Sequence, residues 1–235
     1  MIIMKTVQRF PGMLIITTAL FFSISPFPTS LSSSSSHSLF PFLRAHAAAT
    51  TPSASRVEYV KTHLKKADVS STYAVALFNE KKLKIYPESL VPRVKQNRTK
   101  FSANILATES IARGRNFLEA HRDALESAET IYGVPKEEIV AVIRVESNLG
   151  KYLGNLGVWN VFYTRLITSP EDKWQWDAAN LTALGKYCYT AKVDCFSIKG
   201  SNAGAFGVVQ FLPYSVEEWG VDGTGDGIVN LFDMK

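Results

Sequence analysis

A glycine-rich stretch near the carboxyl end constrains the fold more than any other part of the sequence. It runs from Gly200 to Pro213 and combines glycines and other small residues with two polar side chains, Ser201 and Gln210. Glycine lets a backbone turn sharply and approach a neighbour closely. This composition is typical of a wall that holds a ligand and orients it with a few polar groups. The composition alone does not indicate which reaction, if any, takes place at this wall.

A second glycine-rich segment, beginning at Asp222, has the oxygen spacing of a calcium loop. Such loops supply ligands at positions 1, 3, 5, 7 and 12, with glycine at position 6 for the sharp turn, a place that Gly227 fills in this chain. Position 12 holds an aspartate where a standard loop has glutamate. The candidate ligands are Asp222, Thr224, Asp226, Ile228 through its carbonyl, and Asp233. The alternative is a glycine-rich turn that binds no metal.

The size and charge of the chain limit what it does. Its 235 residues, 46% hydrophobic and 20% charged, are sufficient for one main globular domain with its own core. The net charge is +5, but Lys5, Arg9 and Arg44 precede the folded part. The remainder is nearly neutral, so the sequence does not predict a nucleic-acid partner.

The first residues have the pattern of an export signal. Lys5 and Arg9 precede an apolar run from 13 to 24, which is too short to span a bilayer, and Ala45 to Ala48 resemble a cleavage site. The alternative is a disordered tail with a hydrophobic patch. The predicted domains are a signal peptide over 1–47, a linker over 48–56 and a folded domain over 57–235. This organisation places the protein in the periplasm or elsewhere in the cell envelope.

Cys188 and Cys195 are the two cysteines of the chain. In an exported protein, two cysteines seven residues apart predict a disulfide that closes a short loop just before the glycine-rich stretch. The alternative is a pair of small buried thiols in a reduced protein.

Apolar periodicity predicts a mostly α-helical domain. Gly133 is a typical C-cap and Pro135 a typical first-turn residue, so one helix ends and another begins between them. No run of period-two strands is present, although two short segments, 72–78 and 83–86, fit either helix or extended chain. The predicted helices are 56–67, 109–132, one that begins at Pro135, runs through Glu146 and ends near Asn148 or Gly150, and 177–189.

Glu146 is the candidate catalytic residue. It shares one face of its helix with Ile139, Val142 and Ile143, at the spacing i, i+3, i+4 and i+7. A carboxyl group on an apolar face is desolvated, so its pKa is expected to rise until it can donate a proton near neutral pH. The alternative is a glutamate that reaches solvent at a frayed helix end.

Two motifs in the chain resemble the lytic murein transglycosylase B family. The first, Y-G-V-P-x-E-x-I-V-A-x-I-x-V-E-S-x-x-G, runs from Tyr132 to Gly150 and contains Glu146. The second, G-S-x-A-G-A-x-G-x-x-Q-F-x-P-x-S, begins at Gly200. The stretch from Glu109 to Leu118 is similar to a helix that precedes these motifs in that family. The resemblance covers roughly residues 57 to 235.

The resemblance implies a goose-type, lysozyme-like α-helical domain that cleaves peptidoglycan glycan strands without water. Glu146 would act first as general acid and then as base, leaving a 1,6-anhydro sugar end. Ser201 and Gln210 would contact the substrate, and Gly204 and Gly207 would keep the cleft wall low. Calcium in an EF-hand-like loop would be structural, no organic cofactor is implied, and the protein would be a monomer in peripheral contact with the cell envelope.

The resemblance also predicts elements beyond the end of this sequence. Further helices would follow Asp233, together with the last acid of a longer calcium loop, so the sequence is expected to lack the carboxyl-terminal part of this domain. The expected arginine-bearing stretch is replaced by 169–176, where Trp174 and Trp176 would stack on sugars or border the core. Two other hypotheses therefore remain: an inactive peptidoglycan-binding or structural module, and a hydrolytic lysozyme with the same acid.

Overall fold

The computed structural model describes residues 52–79, 81–90 and 98–233. Within these ranges the elements are α1 Pro52–Lys66, α2 Ser71–Asn79, a 3-10 helix Pro87–Leu90, α3 Arg98–Leu106, α4 Thr108–Ala120, α5 Arg122–Tyr132, α6 Lys136–Ser147, β1 Leu156–Gly157, α7 Val158–Thr168, α8 Trp174–Ala191, β2 Lys199–Gly200 and α9 Pro213–Trp219. The prediction of a mostly α-helical domain is confirmed.

The core forms where α7 packs on α8, with α1 and α9 also packing on α8. The largest buried side chains of this core come from α7 and include Trp159 and Phe162, both fully buried. Gly185 of α8 makes room for α1, because a methyl group there would lie 2.8 Å from Leu64 Cδ2. The close approach of these helices explains why α8 carries a glycine in its interior, where propensity alone disfavours one.

A buried arginine joins α1 to the end of α7. The Arg56 guanidinium donates to the carbonyl oxygens of Leu166, at 3.0 Å, and Ser169, at 2.8 Å, and pairs with the Glu171 carboxylate at 2.8 Å. The last carbonyls of a helix lack partners within the helix and attract positive charge. Arg56 therefore caps α7 and fixes α1 against it.

The segment 83–86 lies against α7 without forming a strand or helix. Its backbone is held by buried polar side chains of α7: the Lys84 N–H donates to Asn160 Oδ1 at 3.0 Å, and the Tyr86 N–H donates to Thr164 Oγ1 at 2.9 Å. The other ambiguous segment, 72–78, lies within helix α2.

The predicted helix over 109–132 is wrong in one respect, because it is two helices. The chain breaks at His121, whose φ of −121° and ψ of 25° are outside the helical region. Both α4 and α5 pack on α6. One straight helix of that length would extend about 36 Å, roughly twice the length of α6, and so could not lie along it throughout. The break at His121 lets both halves contact the same helix.

Some predictions concern residues outside the described ranges. The signal peptide over 1–47 and its cleavage site lie there, and so do residues 48–51 of the predicted linker. Helix α1 begins at Pro52, so the last residues of the predicted linker are helical. Within the described residues, no helix is long and apolar enough to cross a membrane.

Cys188 and Cys195 form the predicted disulfide, with their Cα atoms 5.4 Å apart. The bond ties the end of α8 to the turn that leads into β2. From that turn, the carbonyl of Ile198 accepts a hydrogen bond of 3.0 Å from the N–H of Val158, at the start of α7. The disulfide therefore anchors the turn that immediately precedes the glycine-rich stretch, and this turn is hydrogen-bonded to the start of α7.

We expect the double substitution Cys188→Ala and Cys195→Ala to lower the free energy of unfolding by about 2–3 kcal/mol, the chain-entropy value for so short a loop. Urea unfolding followed by circular dichroism measures this loss. Treating the wild-type protein with a reductant should lower its stability similarly and leave the double variant unchanged. A variant as stable as the oxidised parent would contradict the role given to the disulfide.

Candidate active site

Glu146 lies in the last turn of α6, but the face it occupies is open. Val142 is 49% exposed, Ile139 and Ile143 are half-buried, and Glu146 itself is exposed. The predicted apolar stripe is therefore not the packed face of the helix. Helix α6 packs on α4 and α5 and buries Val140 and Ser147 instead. The expected desolvation of Glu146 is not produced by the described residues, and the carboxyl group lies on an accessible surface.

Shortly after Glu146, at residues 148–150, three consecutive residues adopt the left-handed backbone conformation. Their φ values are 53° at Asn148, 59° at Leu149 and 79° at Gly150. This region is unfavourable for a bulky residue such as leucine, and such residues cluster at functional sites. The Ser147 hydroxyl donates to the Ile143 carbonyl oxygen at 3.3 Å and accepts from the Gly150 N–H at 2.9 Å, which fixes the turn to the helix.

The segment after this turn lies directly on the glycine-rich stretch. A methyl group at Gly154, whose φ is +90°, would lie 2.0 Å from the carbonyl of Gly200 and 2.5 Å from the nitrogen of Ser201. Two residues later β1 pairs with β2 in antiparallel register, with Leu156 opposite Gly200. The fold thus brings the chain that follows Glu146 into contact with the glycine-rich stretch, eight residues after the acid.

Ser201 and Gln210 both stabilise backbone at this junction. Ser201 Oγ accepts a hydrogen bond of 3.2 Å from the Ala205 N–H and closes a tight turn within the glycine-rich stretch. The Gln210 amide donates to the carbonyl oxygens of Leu153, at 3.3 Å, and Gly207, at 2.9 Å. Gln210 therefore links the glycine-rich wall to the chain that leaves Glu146, although its φ of 52° is unfavourable for glutamine.

The expectation for Gly204 and Gly207, that they keep the cleft wall low, is wrong. A methyl group at Gly204 would lie 2.3 Å from the ring of Phe162, and one at Gly207 would lie 2.4 Å from Leu231 Cβ. Both glycines face buried residues of the core. They let the wall pack closely on the domain beneath it, and the open surface of the wall is formed by other residues.

The loop from Asp222 has the backbone expected of a calcium loop but not the full ligand cluster. The Asp222 carboxylate accepts hydrogen bonds from the N–H groups of Thr224, Gly225 and Gly227, and the last of these chiefly lowers the pKa of that carboxyl. Within the described residues, no group of three or more acidic, histidine or cysteine side chains is suited to hold a metal. Asp222, Asp226 and Asp233 are therefore not gathered around one point.

Sequence reasoning missed the segment 148–157 that joins Glu146 to the glycine-rich wall. Three closely spaced glycines, Gly150, Gly154 and Gly157, were the available signal. Their importance depends on the approach of Gly200 from far along the chain, which no local pattern reveals.

We expect Gly154→Ala to be much more destabilising than Gly133→Ala. Both glycines have positive φ, but a methyl group at Gly133 would meet nothing within 4 Å. The control therefore carries only the left-handed backbone cost, about 1–2 kcal/mol. Gly154→Ala carries in addition a clash with the Gly200 backbone, for which about 1–3 kcal/mol more is expected. Denaturant unfolding of both variants gives the comparison, and equal losses would contradict the close contact.

Comparison with known proteins shows that this chain is similar to several lytic transglycosylases. The chain is 31% identical over 134 residues to membrane-bound lytic murein transglycosylase B of Escherichia coli K12, an alignment that covers 57% of this chain and 37% of that protein. The soluble lytic transglycosylase SltB1 of Pseudomonas aeruginosa is similar in structure, with TM-score 0.66 and 28% identity over 76% of this chain and 61% of that one.

The fold is also that of lytic transglycosylase Slt35 of Escherichia coli, solved in complex with calcium, with TM-score 0.68 and 24% identity over 76% of this chain and 58% of that one. The chain thus spans between about one third and two thirds of the length of these relatives. The Transglycosylase SLT domain family matches residues 49–235. This confirms the resemblance found in the two motifs, and the chain belongs to the Transglycosylase SLT domain family.

Proposed function

We propose that the protein is a lytic transglycosylase that cleaves the bond between N-acetylmuramic acid and N-acetylglucosamine in peptidoglycan. The observation that carries this proposal is the segment 148–157, which joins an accessible Glu146 to the glycine-rich wall through Gly154 and β1. Membership of the SLT domain family and similarity to a lytic murein transglycosylase support it.

In the proposed reaction Glu146 acts twice. Its protonated carboxyl donates a proton to the glycosidic oxygen, and the bond from that oxygen to the anomeric carbon of the muramyl sugar breaks. The carboxylate then accepts the proton of the C6 hydroxyl as O6 bonds to the anomeric carbon. The products are a new sugar hydroxyl and a 1,6-anhydro end, with no water consumed. General acid catalysis of this kind contributes about 10²–10⁴-fold in rate.

The wall would orient the sugar. Gln210 uses its amide N–H groups on backbone carbonyls, which leaves its side-chain oxygen to accept from a substrate hydroxyl. Ser201 uses its oxygen as an acceptor within the turn, so it is proposed to donate its hydroxyl proton to the substrate. Both residues are half-buried, as expected for groups at the base of a cleft.

We expect Glu146→Gln to reduce the release of fragments from purified murein sacculi by about 10²–10⁴-fold, because glutamine cannot donate or accept the proton. Glu137→Gln, in the first turn of the same helix, is the matched control and should remain active. Mass spectrometry identifies the products: anhydro ends support the lyase, whereas reducing ends indicate a hydrolytic lysozyme. Intact strands with the wild-type protein would indicate a binding or structural module.

We further propose that the loop 222–233 binds calcium through oxygen ligands, namely Asp222, Thr224, Asp226, the carbonyl of Ile228, and Asp233. The turn is formed with Gly225 and Gly227 at positive φ, and oxygen is the ligand type that calcium prefers. The three carboxylates are not clustered in the described structure, so the fit is incomplete without the ion. Bound calcium would stabilise the loop and leave the chemistry to Glu146.

Calcium should raise the melting temperature of the apo protein prepared with EDTA by several degrees, because binding to the native state alone stabilises it. In Asp222→Asn the calcium-dependent shift should disappear. Asp172→Asn, an exposed aspartate between α7 and α8, should retain it. Identical melting curves with calcium and with EDTA in the wild-type protein would contradict the metal site.

The proposed location is the periplasm or another exported position at the cell envelope, with the protein acting as a monomer. The Cys188–Cys195 disulfide supports export, because disulfides persist in oxidising compartments and are rare in the cytosol. The substrate polymer lies in the same compartment under this proposal.

A further inference from the structure

Two arginines on facing helices have no acidic partner among the described residues. Arg113 lies on α4 and Arg144 on α6, and the two helices pack together. Arg144 Nε donates to Ser110 Oγ at 2.9 Å, whereas Arg113 Nε is buried and has no hydrogen-bond partner in the described structure. Neither guanidinium forms an ion pair with any described side chain.

Two other arginines that are at least half-buried show the contrast. Arg56 pairs with Glu171, and Arg165 pairs with the buried carboxylate of Asp177, each at 2.8 Å. Buried charges are normally paired, because an unpaired charge away from water is costly. Arg113 and Arg144 are half-buried and lack such partners in the described part of the chain. Their positive charge is therefore available to an acidic ligand.

The two guanidinium groups also repel each other. Burial lowers the pKa of Arg144, and the positive charge of Arg113 lowers it further. Guanidinium remains protonated throughout the physiological range, so proton loss does not relieve the repulsion. An anion between the two groups would relieve it and would satisfy the buried Arg113 N–H.

We propose that Arg113 and Arg144 form a carboxylate-binding site for the peptide side chain of peptidoglycan. This inference rests on the proposed function and adds recognition of the peptide to the cleavage of the glycan. The planar fork of arginine donors matches a carboxylate in geometry and binds it through two parallel hydrogen bonds. A peptide attached to the muramyl sugar ends in such a carboxylate.

The position of the pair relative to Glu146 fits this role. Arg144 precedes Glu146 by two residues on α6, which separates them by about 3 Å along the helix axis and places them on different sides of the helix. A helix with its side chains is about 10–12 Å across. A peptide of four residues spans up to about 14 Å. A four-residue peptide is therefore slightly longer than the helix is wide, and with the reach of the arginine side chains we propose that it extends from a sugar at Glu146 to the arginine pair.

The test compares two substrates: peptide-bearing glycan strands, and the same strands stripped of peptides by an amidase. Arg113→Gln and Arg144→Gln should raise KM at least tenfold on peptide-bearing strands, with kcat little changed. On stripped strands both variants should match the wild-type protein. Arg115, which lies on α4 with Arg113 but is exposed, provides the matched control. The variant Arg115→Gln should behave as the wild-type protein on both substrates. Equal losses on both substrates, or no loss on either, would overturn the proposal.

Binding without turnover keeps this test separate from the proposed function. In the Glu146→Gln protein, adding Arg113→Gln should weaken binding of a soluble disaccharide-peptide at least tenfold and leave binding of the peptide-free disaccharide unchanged. That result would support the site even if the wild-type protein released no fragments. Inorganic phosphate is the second probe: if it competes as well as a free peptide carboxylate, the pair binds anions generally and the peptide assignment is wrong.

The stability of Arg113→Gln gives an independent readout. Removing one of two repelling charges, with no hydrogen bond lost, should raise the melting temperature of the ligand-free protein. Arg144→Gln loses its bond to Ser110 and serves as the comparison. A clear fall in the melting temperature of Arg113→Gln would show that its charge already has a partner, and would overturn the proposal.

Discussion

The close contact between the backbones of Gly154 and Gly200 is the constraint on which the rest of the site depends. A methyl group at Gly154 would lie 2.0 Å from the Gly200 carbonyl, so two chain segments meet there with no side chain between them. One segment leaves Glu146 at the end of α6, and the other begins the glycine-rich wall. The pairing of β1 with β2 and the Gln210 bond to Leu153 reinforce this contact. Because several weak restraints converge, the unfavourable conformations of Leu149 and Gln210 are tolerated.

Buried polar side chains hold irregular chain on a helical core. Asn180, fully buried on α8, accepts from the Tyr214 N–H at 3.1 Å and donates to the Trp176 carbonyl at 3.0 Å. It therefore fixes the start of α9 to α8, as Asn160 and Thr164 of α7 fix the segment 83–86. Buried polar groups of this kind are costly when unpaired, so they specify one arrangement of the chain. The glycine-rich wall thus packs on a helical core whose neighbouring segments are fixed by buried hydrogen bonds.

Local patterns were sufficient to predict the helix class, the C-cap at Gly133, the disulfide and the acid at the end of α6. They failed where long-range packing decides the outcome. The break at His121 reflects the need of α4 and α5 to share one partner helix. The apolar spacing of Ile139, Val142 and Ile143 indicated a buried face, but the packed face includes Val140 and Ser147. Gly204 and Gly207 were assigned to the cleft, yet they face Phe162 and Leu231, because glycine signals close approach without saying to what.

The placement of charge on α6 connects the acid to the arginine pair. Glu137 and Glu138 occupy the first turn and Arg144 the last, which complements the helix dipole, whereas Glu146 carries its carboxyl to the negative end. Arg144 and Glu146 thus extend from different sides of the same helix. A substrate carboxylate bound by Arg113 and Arg144 would offset the repulsion between those two guanidinium groups. Recognition of the peptide would then hold the sugar to which that peptide is attached near the helix end that carries Glu146, so that binding of the peptide and placement of the glycosidic bond depend on the same helix.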